Sequence, residues 1–253
     1  MPESHIANHL QQFEFLRQIS SDPKNLVVGI VRDKPTTDKR VAEELSGRSN
    51  IHILQADITD YDGLKRAAAE TSTITGGAID YLIANAGYVS LFDEDARKLF
   101  DINVIGNIHL FNLFVPLLLK GNVKKAIVIS SGHADIDMIA KYELANAPLY
   151  SASKAAMNVI VAKFHAQYKK DGILFLAISP GAVEVGHNPT PTQEQIDSLM
   201  EMGAKFQQYA PHFKGPSTPD LAVRDVRNVW EKASIENGDG GAFVSHYGNK
   251  QWL

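Results

Sequence analysis

From Asn25 onward, short apolar runs alternate with longer stretches whose apolar residues recur every three or four positions. The short runs, rich in β-branched residues, read as strands, and the longer stretches as amphipathic helices. Strands are predicted at Leu26 to Arg32, Ile51 to Asp57, Tyr81 to Asn85, Ala126 to Ser130, Ile173 to Ser179 and Ala242 to Ser245. Helices are predicted at Thr37 to Leu45, Tyr61 to Thr71, Ala96 to Leu119, Tyr150 to Lys170, Pro191 to Gln208 and Pro219 to Ile235. Runs such as LVVGIV and AIVIS are apolar on both faces, as a strand is when helices cover both sides of its sheet. The expected fold class is therefore α/β, a doubly wound parallel sheet flanked by helices with right-handed crossovers.

A chain of 253 residues has material for one large domain, residues 1–253, and no repeat, low-complexity tract or Pro/Gly-rich linker divides it. Residues 186–217, with Pro189, Pro191, Pro211, Pro216 and a helix of their own, read as an insertion at the ligand end, a candidate substrate lid. The formal charge of -4 and the scattered lysines offer no field for nucleic acid. With no cysteine, a disulfide framework, a thiolate nucleophile and cysteine-ligated zinc are excluded, and no His/Asp/Glu spacing suggests another metal site. The opening MPESHIANHLQQ lacks a signal peptide's apolar core, and the most apolar stretch, His109 to Leu119, is broken by Asn112 and Pro116. A soluble, cytoplasmic protein without a membrane partner is expected.

Chemistry first shows in Tyr150-Ser151-Ala152-Ser153-Lys154. Positions i and i+4 share a helix face, so a phenol and an ammonium can act at one point, and a nearby cation lowers a phenol's pKa toward neutrality. Taken alone, such a pair equally describes a surface tyrosine and lysine. Upstream, the strand ending in Ile129-Ser130-Ser131-Gly132 sets a hydroxyl at the carboxyl edge of the sheet, where α/β folds bind ligands, although a plain serine turn reads the same. Asn85-Ala86-Gly87 follows another strand, and Asn103 lies within the helix after it.

In order and interval, Asp57, Asn-Ala-Gly, the mid-helix Asn103, Ser130-Ser131, Tyr150-x-x-x-Lys154 and Ser179-Pro180-Gly181 resemble the short-chain dehydrogenase/reductases. The resemblance covers roughly residues 13 to 253 and is nearest to carbonyl-reductase-like members of filamentous fungi. It implies a Rossmann-like fold and an NADP-dependent oxidoreductase interconverting a carbonyl and a secondary alcohol on a small organic substrate. By that resemblance Ser131 holds the substrate oxygen, Tyr150 is the acid/base, Lys154 lowers the tyrosine pKa and holds the nicotinamide ribose, and Asn103 orders a relay water. Asp57 would meet the adenine, Asn85 and Gly87 would line the cofactor cleft, Pro180 and Gly181 would pack at the nicotinamide, and Val183 completes the cofactor set. Where NAD-type members close the second strand with an acidic residue, this chain has Arg32, whose guanidinium suits a 2′-phosphate; NADP is expected over NAD, although Asp33 comes next. The helix from Tyr150, with its apolar Ala155, Ala156, Val159, Ile160, Ala162 and Phe164, would form a homodimer or homotetramer interface.

The chain departs from the family at its start. No glycine precedes Gly29, so the Thr-Gly-x-x-x-Gly-x-Gly loop that cradles a pyrophosphate has no counterpart. The helix after that loop is recognisable as Phe13 to Ser20, so residues 1–12 span about the right length with other chemistry. Pro2, Glu3, Ser4 and His5 do not read as a buried strand, and Asn8, His9, Gln11 and Gln12 would crowd the pyrophosphate. In the strand order 3-2-1-4-5-6 the first strand lies mid-sheet, and each buried backbone group left unpaired costs about 1 to 3 kcal/mol. Something must fill the gap, or the sheet must rearrange.

Val185 stands where the family often has a threonine, and the 19-residue interval from Ser131 to Tyr150 is long, with Tyr142 and Glu143 in the extra loop. Tyr142, Met200, Met202, Phe206 and Tyr209 are candidates for an apolar pocket wall, or simply pack a surface helix. His133 and His187 fall beside the cleft, where a loop histidine is more often a bystander than a contact. The missing glycines also suit a second function: a cofactor-independent member acting as a non-redox isomerase, dehydratase or cyclase, or as a silent binding protein.

Overall fold

In the computed structural model, which describes residues 9–89, 96–184 and 192–253, each predicted strand forms with its ends moved by at most two residues. The strands are β1 (Val27–Val31), β2 (Ile51–Gln55), β3 (Tyr81–Ala84), β4 (Lys125–Ile129), β5 (Leu174–Ser179) and β6 (Phe243–Ser245). Around them run α1 (His9–Ile19), α2 (Lys34–Glu44), α3 (Tyr61–Ile74), α4 (Ala96–Phe100), α5 (Gly106–Leu118), α6 (Ile136–Tyr142), α7 (Pro148–Tyr168), α8 (Gln193–Tyr209) and α9 (Pro219–Lys232). Helix α2 begins three residues before its predicted start, because Asp33 accepts from the Thr36 N–H and Pro35 lies in the first turn, where its missing donor is harmless. The predicted helix from Ala96 is continuous but passes through a π-helical turn, Asp101–Ile105. Helix α6 was not foreseen; it fills the long interval between Ser131 and Tyr150.

The predicted single sheet is found as two. Strands β1 and β2 pair parallel, and β3, β4, β5 and β6 form a separate parallel sheet in that order. Among the described residues no strand precedes β1, so the mid-sheet position of the family's first strand is not filled by one of them. Burial records the break: all six residues of β5 are buried, whereas after Val27 the residues of β1 are only partly so.

Helix α1 joins the two sheets. Its Phe13 and Leu16 pack with Val27, Leu45 and Ile53 over the small sheet, while Phe15 packs with Val223, Val226 and Trp230 over the large one. Gly29 of β1 admits this close approach, since a Cβ there would meet Leu16 and Ile53 at 3.0 Å. On the opposite side, α3, α5 and α7 share one core with both sheets, through Leu54, Leu64, Leu82, Phe111, Val128 and Phe175. The run Ala96–Leu118 is long and apolar enough to cross a membrane by length and composition, and 56% of its most apolar window is buried inside the protein.

Candidate active site

Strand β4 delivers its last residue, Ile129, to the carboxyl edge of the larger sheet. Ser131 follows as the cap of a 3-10 turn, Gly132–Ala134, with its Oγ accepting from the His133 N–H at 3.3 Å. The neighbouring Ser130 turns the other way and donates to Asn158 Oδ1 of α7 at 2.7 Å. A second serine steadies the turn: Ser179, at the end of β5, accepts from the Gly132 N–H at 3.0 Å and from the Gly181 N–H at 3.4 Å. The two edge loops are thereby tied to one hydroxyl.

Helix α7 opens at Pro148, behind Ala147, which takes the left-handed conformation with φ 54°. It carries Tyr150 and Lys154 in toward β4, both buried. Tyr150 hydrogen-bonds with Ser131. Lys154 Nζ donates to the Ile129 carbonyl at 2.9 Å and lies 5.9 Å from the centre of the Tyr150 ring. The serine, phenol and ammonium expected to meet are therefore brought together.

Burial dominates the electrostatics of both titrating groups. Burial holds the Tyr150 phenol above its ordinary pKa, and the bond with Ser131 offsets this only in part. Lys154 is desolvated as well, and its pKa is drawn down to about 8.

Asn103 lies in the π-helical turn, a distortion frequent at functional sites. Its Oδ1 accepts from the Tyr88 N–H at 2.7 Å, and its Nδ2 donates to the Tyr88 carbonyl at 2.9 Å and to Ser153 Oγ at 3.0 Å. Ser153, which the sequence reading did not single out, donates in turn to the Tyr150 carbonyl at 2.8 Å. Gly87 lies within this corner, where a Cβ would come 3.2 Å from Lys154 Nζ and 3.4 Å from Asn103 Oδ1.

Asn85 follows β3 with both polar atoms of its amide buried and without hydrogen-bond partners. A buried amide left so is destabilising unless a ligand completes it, as the polar edge of a bound dinucleotide would. Gly181 takes φ +79°, where a Cβ would meet the His246 ring at 2.8 Å, and Pro180 beside it is buried. Val183 forms a parallel bridge with Ser217. Asp57 and Arg32 belong to the other sheet. Asp57 Oδ1 accepts from the N–H and hydroxyl of Thr59, and Arg32 is exposed just beyond β1.

Of the proposed wall, Phe206 is buried, Tyr142 and Tyr209 meet edge to face at 5.1 Å, and Met202 packs beside them. Met200 does not join; it is 69% exposed, because it falls on the outer face of α8. Val185, His187, Pro189, Pro191 and residues 1–8 lie outside the described residues, so the family's glycine loop region and the first part of the predicted lid do too. A residue the sequence reading missed is Trp252. It is buried, its Cβ lies 2.8 Å from where a Gly132 Cβ would stand, and only the contact across the fold reveals it.

A parallel α/β fold with serine, tyrosine and lysine gathered beyond β4 defines a class, and comparison with known proteins gives the family. The profile of the short chain dehydrogenases matches residues 16–196. A short chain dehydrogenase of Hypocrea virens, virK, is 56% identical over 257 residues, covering 95% of each chain. A short-chain dehydrogenase/reductase of Pestalotiopsis fici, iacC, is 54% identical over 258 residues with the same coverage. The fold resembles that of NADPH-bound carbonyl reductase from chicken fatty liver, with a TM-score of 0.76 at 23% identity over 96% of this chain and 94% of that one. The chain belongs to the short-chain dehydrogenase/reductase family.

Proposed function

We propose that the protein is an NADP-dependent oxidoreductase interconverting a carbonyl and a secondary alcohol on a small organic substrate. The observation that carries this reading is the meeting of Ser131, Tyr150 and Lys154 beyond β4. Ser131 holds the substrate oxygen by its hydroxyl. Tyr150, kept protonated by burial, gives its proton to that oxygen in reduction and recovers it in oxidation. Lys154 steadies the phenolate while the proton is away. Asn103 braces the start of α7 through Ser153, and its Oδ1 keeps a lone pair for a relay water.

The dinucleotide, when bound, supplies or accepts the hydride. Asn85, Gly87, Asp57, Arg32, Tyr150, Lys154, Pro180, Gly181 and Val183 are the residues that would hold it. Two observations favour the 2′-phosphate. Arg32 is exposed and forms no ion pair among the described residues. The adjacent Asp33 carboxylate is committed to Thr36, through Oδ1 at 3.1 Å and Oδ2 at 2.7 Å, and so is a poor reader of ribose hydroxyls.

The break between the two sheets favours a second reading, a cofactor-independent member in which Tyr150 performs acid/base chemistry alone. Titration with NADPH, followed by nicotinamide fluorescence, separates the two. Micromolar binding, tighter than for NADH, is expected; no binding at millimolar NADPH overturns the reductase. Loss of turnover in Tyr150→Phe would then mark a non-redox enzyme rather than a silent binder. We further take the surface bearing Ile105 and Val159, 45% and 59% exposed, as the contact of a homodimer or homotetramer, which light scattering would register as a multiple of 27.8 kDa.

A further inference from the structure

The roles assigned above leave one buried nitrogen beside Tyr150 without a task. His133 sits two residues beyond Ser131 on the same 3-10 turn, so one short segment presents a hydroxyl and an imidazole to one phenol. The imidazole stands edge-on to the Tyr150 ring with centres 6.2 Å apart, and edge-on to Phe206 of α8 at 5.9 Å. Nδ1, enclosed there, has no hydrogen-bond partner. His165, by contrast, secures its Nδ1 against the Ile173 carbonyl at 3.2 Å. Burial also draws the His133 pKa below its ordinary value, so the ring is neutral near pH 7, one nitrogen a donor and the other an acceptor.

We propose that His133 is a specificity-determining residue: its unpartnered nitrogen hydrogen-bonds a second oxygen that the substrate carries close to the reacting carbonyl. This rests on the reductase reading, which puts the carbonyl oxygen between Ser131 and Tyr150. In a β-hydroxy or enolised β-keto compound the second oxygen stands about 2.7 Å from the first, a single hydrogen-bond spacing, within reach of a side chain on the turn that carries Ser131. A neutral imidazole suits a hydroxyl or enol better than a carboxylate, which would seek a cation. The Phe206 ring beside it suits an aromatic or conjugated skeleton. The substrate class is therefore an aryl ketone with a hydroxyl on the adjacent ring carbon, or its enol equivalent.

The probes are acetophenone and 2′-hydroxyacetophenone, reduced with NADPH by the full chain and by His133→Phe and His133→Gln. The wild type is expected to favour the hydroxylated ketone at least tenfold in kcat/KM, mainly through KM. In His133→Phe the preference falls to near unity, and in His133→Gln, which keeps a hydrogen-bonding group, part of it returns. A wild type indifferent to the hydroxyl, or a preference that survives in His133→Phe, overturns the proposal. Should neither ketone be turned over, the reductase reading is decided by the NADPH titration, and nitrogen NMR of the imidazole still decides the contact. A His133 nitrogen shift with 2′-hydroxyacetophenone and not with acetophenone supports the contact; no shift with either refutes it.

Discussion

The indole N–H of Trp252 donates to Asp135 Oδ2 at 2.8 Å, while Oδ1 of the same carboxylate caps the first turn of α6 by accepting from the N–H groups of Asp137 and Met138. The Trp252 ring stacks on Phe243 of β6 with centres 4.4 Å apart, and its main-chain N–H donates to the Tyr209 hydroxyl of α8 at 2.8 Å. One residue near the end of the sequence, through its indole and its main-chain N–H, thus ties together β6, the turn beyond Ser131, α6 and α8. Residue 132 must be small because the indole lies against it.

Trp252→Ala is expected to cost about 3 to 5 kcal/mol through the cavity it leaves. Trp252→Phe, which keeps a stacked ring and loses the N–H, should cost about 1 to 3 kcal/mol because the Asp135 oxygen loses a donor. Thermal melting of the two variants checks the order, and a Trp252→Phe variant as stable as the wild type would mean that the bond to Asp135 contributes nothing.

Phe15 stacks on Trp230 at 5.7 Å, on the side of α1 that faces the larger sheet, and on that side of the molecule α1 packs against both sheets. Phe15→Ala should destabilise by about 3 to 5 kcal/mol. Amide hydrogen exchange should show the loss of protection concentrated in α1, β1 and β2, with β4 and β5 spared. Uniform loss across all strands would contradict the view that the smaller sheet is held mainly through this helix.

Lys154 gives a signed pH dependence. Unfolded, its ammonium titrates at 10.5; folded, at about 8. Between those values the unfolded chain binds more protons, so stability rises with pH across the window, and below it the desolvation penalty is felt in full. Melting temperatures of the cofactor-free wild type, each compared with Lys154→Met at the same pH, should shift in favour of the wild type from pH 8 to 10.5. A difference that stays flat there would show that Lys154 is not desolvated as described.

Arg32→Ala tests the coenzyme preference. One charge-assisted hydrogen bond is worth about 1.5 to 3 kcal/mol, so the Kd for NADPH should rise roughly 10- to 100-fold while that for NADH changes little. Equal weakening of both would remove Arg32 from the 2′-phosphate site.

Short apolar runs rich in β-branched residues located all six strands of the described residues, because segments such as AIVIS and LFLAIS are too short for a helix and are buried on both faces. Residue spacing likewise set Tyr150 and Lys154 on one face of α7, since that relation is local to a single helix turn. The break in the sheet was foreshadowed by the missing glycines, yet its remedy was not, because Phe15 and Trp230 lie 215 positions apart in the chain and only packing brings them together. The same holds for Trp252 against Gly132, and for the π-helical turn that lets Asn103 bond to Tyr88 and Ser153. The sign of the Tyr150 shift belongs to the tertiary structure as well. Proximity to a lysine is written in the sequence, but how much water each group loses depends on everything that folds over it.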